Sequence, residues 1–152
     1  AWHWVLGILS FHERCIYVYD SMRGALHDAT VFKEVDTYAT VLPYFMHVVD
    51  FYNKRSDINL DGGPYRGKNM LDPFEVILVD DLPSQQDTYV TYIMTLIFDC
   101  GVYMVSFAEY FIEGRDIIDY QLDAIQLRNR LGVLLWNYGR MTQTQNYVSD
   151  SE

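Results

Sequence analysis

Basic residues are scarce in this sequence: 11 Lys and Arg stand against 21 Asp and Glu in 152 residues, a formal net charge of -10. A surface with that balance opposes broad electrostatic attraction to nucleic-acid backbones or anionic membranes, so neither is an expected partner. Cysteine is scarcer still. Only Cys15 and Cys100 occur, in unlike surroundings and without a C-x-x-C, which leaves a disulfide scaffold, a zinc site and a thioredoxin-type centre without support. No cofactor and no metal are expected, and a reduced intracellular setting, nuclear or cytoplasmic, is the default. Long apolar runs are also missing. The longest, Val90 to Phe98, is closed by Asp87 and Asp99 and falls well short of the roughly 18 to 20 residues of a membrane span. The opening Ala1-Trp2-His3-Trp4 has no initiator Met or signal-peptide character, so the chain reads as a piece of something longer.

What is present suits one domain with a sizeable core. Half of the residues are apolar and 16% are aromatic, thirteen of them Tyr. There are no internal repeats and no composition shift that marks a second domain, so residues 1–140 are read as one unit and 141–152 as a polar tail. Trp2 to Ser10 and Cys15 to Tyr19 are rich in β-branched and aromatic residues around a four-residue polar interval, which predicts two adjacent antiparallel strands. Asp20 then stands at a strand end. A helix is predicted from Asp28, as N-cap, to about Tyr52, kinked or divided at Pro43, with Val31, Val35, Tyr38, Val41 and Leu42 as its apolar positions. Residues 53–72 read as an exposed loop and Phe74 to Val79 as a strand. Gly101 to Ile112 reads as a helix buried on nearly every side and closed by Gly114. A last helix, about Leu122 to Tyr138, would bury Leu127, Leu131, Leu134, Leu135 and Tyr138 and end at Gly139.

The residues with chemistry to offer are few. Cys100, between Asp99 and Gly101 at the expected start of a helix, would feel the positive end of the helix dipole, which favours the thiolate. The plain alternative is a free Cys that simply packs. His3, in a predicted strand, and Asp20, at the end of the next, would supply a base and the carboxylate that orients it. His12, His27 and His47 compete with His3, but none is both strand-borne and followed by a strand-end carboxylate.

The segments His3-Trp4-Val5-Leu6, Tyr19-Asp20-Ser21, Leu82-Pro83-Ser84-Gln85-Gln86 and Asp99-Cys100-Gly101-Val102-Tyr103 occur in one order. In that order they resemble the ubiquitin-like-protein-specific protease family, the SUMO-protease (sentrin-specific) group of cysteine peptidases. The wording of the last segment, continuing to Phe107-Ala108-Glu109-Tyr110, is most similar to plant members. The resemblance implies an α+β, papain-like fold, with an antiparallel sheet packed on a central helix that carries the nucleophile at its N-terminus. It implies His3 as general base, Asp20 as orienting carboxylate, Cys100 as nucleophile and Gln86 as the oxyanion donor. Trp4 would wall the tunnel for a substrate's Gly-Gly tail. The implied partner is a ubiquitin-like modifier, SUMO-like, or its conjugates.

Two features depart from the family pattern. Fourteen positions separate Gln86 from Cys100 where the family has about half a dozen, an excess that corresponds to residues 90–98. That insert could form an extra hairpin strand, extend the Cys100 helix backwards, or reflect unspliced coding sequence. The resemblance also covers only the C-terminal part of the family's domain. A second expectation therefore stands beside the protease: a truncated or inactive relative that binds ubiquitin-like proteins without cutting them.

Overall fold

The computed structural model describes residues 3–85, 96–117 and 122–144. In chain order the elements are β1 (Leu6–Ser10), β2 (Cys15–Tyr19), α1 (Ala25–Val48), β3 (Glu75–Leu78), α2 (Leu96–Ile112) and α3 (Ala124–Thr144). Two short 3-10 turns, Tyr52–Lys54 and Gly63–Tyr65, lie between α1 and β3. The architecture is α+β, as expected.

β1 and β2 form the predicted antiparallel hairpin, in a register that runs from Leu6 opposite Tyr19 to Ser10 opposite Cys15. The Ser10 hydroxyl donates to the Glu13 carboxylate at 2.9 Å, and Arg14 closes the turn in the left-handed region at φ 55°. β1 starts at Leu6 rather than at Trp2, because β2 ends at Tyr19 and offers no ladder to residues 3–5. β3 pairs with β2 in parallel, Cys15 opposite Glu75 through Val18 opposite Leu78. The sheet is therefore mixed, not antiparallel throughout. A parallel partner needs a long crossover, and α1 with the segment after it supplies one.

α1 is one continuous helix through Pro43. A proline inside a helix leaves the carbonyl four residues back without its donor. Here that carbonyl belongs to Ala39, and it accepts the backbone N–H of Phe74 at 3.1 Å. The vacancy thus becomes a bond between the helix and the segment leading into β3. Val31, Val35, Ala39, Leu42 and Met46 recur at three- and four-residue spacing and face the sheet, with Ala39 wholly buried. Tyr38 and Val41, expected on the same face, are exposed. Asp28 is not the N-cap. Gly24 holds that place, and the Asp28 carboxylate reaches back to accept its N–H at 3.2 Å.

The core of this half consists of Ile16, Val18, Ala39, Met46, Tyr52, Ile58, Tyr65 and Phe74. Residues 53–72 are thus more than an exposed loop, since Ile58 and Tyr65 are buried there and the Tyr65 hydroxyl donates to the Phe11 carbonyl at 2.7 Å. Arg14 is buried as well. Its guanidinium donates to the carbonyls of Pro73 at 2.8 Å, Asp72 at 2.7 Å and Asn69 at 3.2 Å, and lies over the rings of Tyr65 and Phe74. A buried cation needs that many acceptors to offset its lost hydration.

α2 packs on β1 through a second, smaller cluster of Tyr103, Phe107 and Ile117, joined by Leu6, Tyr19 and Leu82. Burial is confined to one face, for Val105, Phe111 and Ile112 are exposed. Gly114 ends the helix at φ 63°. The Arg115 N–H bonds the Tyr110 carbonyl and the Gly114 N–H bonds the Phe111 carbonyl, the pair of contacts that defines a Schellman cap.

α3 lies against α2, tied by ion pairs of Arg130 with Glu109 and of Arg128 with Asp99. It continues through Gly139 to Thr144, past the expected end and into the segment read as a tail. Of its expected apolar face only Leu127 is buried, while Leu134, Leu135 and Tyr138 are exposed and Leu131 is half-buried. No helix among the described residues is long and apolar enough to cross a membrane.

Candidate active site

The site is organised by Asp20, at the point where β2 leaves the sheet. Asp20 is buried, 4% exposed, and meets three donors among the described residues. Oδ1 lies 2.7 Å from His3 Nε2 and accepts the Met22 N–H at 2.9 Å, and Oδ2 lies 2.7 Å from His27 Nε2. Burial alone would push the carboxyl group up. The hydrogen bonds from His3, the Met22 backbone and His27 outweigh it and hold Asp20 below the usual carboxylate range.

An ionised carboxylate only accepts, so His3 and His27 each carry a proton on Nε2. Their neutral tautomers then leave Nδ1 as the basic nitrogen. This is the tautomer control that a carboxylate exerts on a catalytic imidazole. His3 is not strand-borne. It stands three residues before β1, outside the ladder, and its ring meets the carboxylate of the residue that follows β2.

His27 was considered from sequence only as a rival base. The structure makes it a second partner of the same carboxylate, supplied by the first turn of α1. Its ring meets that of His3 edge-on, at 87° with centroids 4.8 Å apart. A His at the start of the helix that follows a strand-end Asp is the only sequence signal of this pairing, and it is weak. His12 is in the hairpin turn and largely exposed, and His47 is at the far end of α1, so neither joins the cluster.

Cys100 is buried in α2. The helix already runs at Leu96, the first described residue of this stretch, so the thiol sits a full turn inside it and not at its N-terminus. Of the readings for residues 90–98, backward extension of the helix holds for 96–98, and 90–95 lie outside the described residues. The dipole argument for Cys100 weakens accordingly, because that field acts mainly on the first turn. The neighbours of the two candidate residues meet: the closest atom to a Cβ built on Gly101 would be Cδ1 of Trp4, at 3.8 Å. Trp4, the residue after His3, thus approaches Gly101, the residue after Cys100, and Trp4 as a whole is 60% exposed. Cys15, by contrast, is sealed in β2 at the other end of the hairpin, and burial pushes its thiol up.

Gln86 lies outside the described residues. Its neighbour Gln85 is fixed to the residue after Asp20, the side-chain amide donating to Ser21 Oγ at 2.8 Å and the backbone N–H to the Ser21 carbonyl at 2.9 Å. The Tyr103 hydroxyl, from α2, reaches the Ser84 carbonyl at 3.4 Å and that of Leu122 at 3.1 Å. The Leu82-Pro83-Ser84-Gln85 segment is thus strapped between the strand end and the helix that bears Cys100.

The family model of the Ulp1 protease family, C-terminal catalytic domain, matches residues 1–137. A buried carboxylate with its histidine beside a cysteine-bearing helix is the class of site that a thiol hydrolase uses, and by that match the chain belongs to the Ulp1 protease family. No curated protein and no solved structure matches it. As a member of that family the chain is of the cysteine-protease class, whose substrates are ubiquitin-like modifiers.

Proposed function

We propose that the protein hydrolyses the bond after the C-terminal Gly-Gly of a SUMO-like modifier, in maturation or deconjugation, with His3, Asp20 and Cys100 as the triad. The observation that carries the reading is the His3–Asp20 pair at 2.7 Å, one residue away from the packing of Trp4 on Gly101. His3 Nδ1 takes the Cys100 proton, and the thiolate attacks the glycyl carbonyl. The tetrahedral oxyanion collapses to a thioester as His3 returns the proton to the leaving amine. Water then enters, activated by the same nitrogen, and frees the carboxylate and the thiol. Gln86 with the Cys100 backbone N–H would hold the oxyanion, a role worth roughly 3 to 4 kcal/mol in other hydrolases. Trp4, exposed beside Gly101, would flank the Gly-Gly tail, where the lack of side chains suits a narrow passage.

The test is a ubiquitin-like probe ending in a Gly-Gly electrophile. A covalent adduct is expected with the natural sequence and with Cys15→Ser, and none with Cys100→Ser. Equal labelling of the two mutants would overturn the assignment of the nucleophile. The second reading, a relative that binds without cutting, is favoured by the position of Cys100 inside its helix. It predicts probe affinity without adduct.

A further inference from the structure

We propose that His3, Asp20 and His27 form a binding site for a divalent transition-metal ion, zinc foremost, whose occupancy switches catalysis off. The inhibitory part rests on the protease reading above, whereas the site itself does not. Three segments contribute: the stretch leading into β1, the residue that follows β2 and the first turn of α1. Each offers one donor atom, His3 Nε2, His27 Nε2 and an Asp20 oxygen, all within 4.8 Å of one another.

The set has the character that selects zinc. Two imidazoles and one carboxylate are borderline nitrogen and oxygen ligands that favour zinc or its neighbours over calcium and magnesium, which take oxygen cages. Three protein ligands and a water in the fourth position make a common zinc arrangement. The donors of a tetrahedral zinc lie about 3.3 Å apart, given bond lengths of about 2.0 to 2.1 Å. The donors stand 2.7 Å apart within each His–Asp20 contact and no more than 4.8 Å apart overall, separations that bracket that spacing. The edge-on rings direct both nitrogens at the carboxylate without stacking. The Met22 N–H on Oδ1 fixes the carboxylate as an outer partner fixes a metal ligand. The side chains are 16%, 21% and 5% exposed for His3, His27 and Asp20, sheltered but reachable from solvent.

A triad needs one histidine on its carboxylate, and catalysis gives no task to the second. Metal binding does. Zinc bound through Nε2 of His3 takes the lone pair on that nitrogen, so the single ring proton must move to Nδ1. That is the nitrogen which receives the thiol proton in the proposed reaction, and a protonated Nδ1 cannot act as the base. The ring keeps its one proton throughout, so inhibition needs no net proton release from His3.

The experiment separates site from activity. Zinc is titrated into the natural sequence, with the ring C–H signals of the four histidines followed by NMR. At one equivalent the His3 and His27 signals should shift together while those of His12 and His47 stay, and shifts confined to His12 or His47 would overturn the proposal. Cobalt is then bound to Cys100→Ser protein, where visible bands of tetrahedral cobalt are expected to persist. His27→Gln should weaken binding by well over about 100-fold, beyond the roughly 10- to 100-fold that outer partners of a site contribute. Binding lost in Cys100→Ser and unchanged in His27→Gln would mean that the metal sits on the thiol, and the site falls. Probe labelling should stop with zinc and return on chelation. Labelling indifferent to saturating zinc would remove the switch, whereas metal bound normally by a chain that never labels would sink the protease reading and leave the site standing.

Discussion

The two halves of the molecule are held together very differently. In the sheet and α1, eight buried residues form one cluster, the guanidinium of Arg14 is satisfied on three carbonyls, and even the carbonyl freed by Pro43 has a donor. In α2 and α3 the buried cluster has only three members among the described residues, and large apolar side chains such as Phe111, Leu135 and Trp136 face outward, as Tyr38, Phe45 and Val48 do on the outer side of α1. The His and Asp of the candidate triad stand on the first half and the Cys on the second. Precision in the base and its carboxylate therefore comes from a well-packed frame, whereas the approach of the thiol depends on a helix held by one face. The general lesson is that a two-sided site is only as well placed as its less-supported side.

The comparison can be broken by substitutions taken in order of expected effect. Asp20→Asn keeps the shape but removes the negative charge and turns one of the two acceptor oxygens into a donor, so the His3 tautomer and imidazolium lose their support and probe labelling should fall by about 10²-fold or more. Labelling within about threefold of the natural sequence would show that Asp20 does not serve the base. Phe107→Ala empties the centre of the smaller cluster and should cost about 3 to 5 kcal/mol in chemical denaturation. Because that cluster is small, a loss under about 1 kcal/mol would mean that α2 is not held by it. Arg14→Leu should lose about 3 kcal/mol, since the carbonyls of Asn69, Asp72 and Pro73 would be left buried or forced to open. Thermal unfolding unchanged within error would count against the clasp. Leu135→Lys, at a position 70% exposed, should alter stability by no more than about 0.5 kcal/mol. A loss above about 2 kcal/mol would reveal a packed partner for α3 and erase the contrast between the halves.

Sequence patterning captured what is local. Cys15–Tyr19 was legible to the residue because alternation and turn chemistry bound it on both sides, and Gly114 marked the end of α2 through its left-handed cap. Asp20 at a strand end followed from the hairpin, whereas the contact of His3 with it is made by residues before β1, outside the paired register. What was not legible depends on distant partners. The parallel pairing of β3 leaves no trace in its own residues, and the burial of Ile58 and Tyr65 inside a polar segment depends on what they meet in the fold. His27 reaches Asp20 only because α1 starts where it does, five residues after that aspartate. The start of α2 was misplaced for a related reason. Leu96 to Phe98 is as compatible with strand as with helix, and short apolar runs do not distinguish the two.

The bond from Phe74 to the Ala39 carbonyl makes opening of the helix and detachment of the third strand a shared event. In native-state hydrogen exchange the Phe74 amide would thus report on α1, a helix more than twenty-five residues earlier in the chain. Since α1 also carries His27 in its first turn, the same amide gives a remote gauge of whether the second histidine is in reach of Asp20.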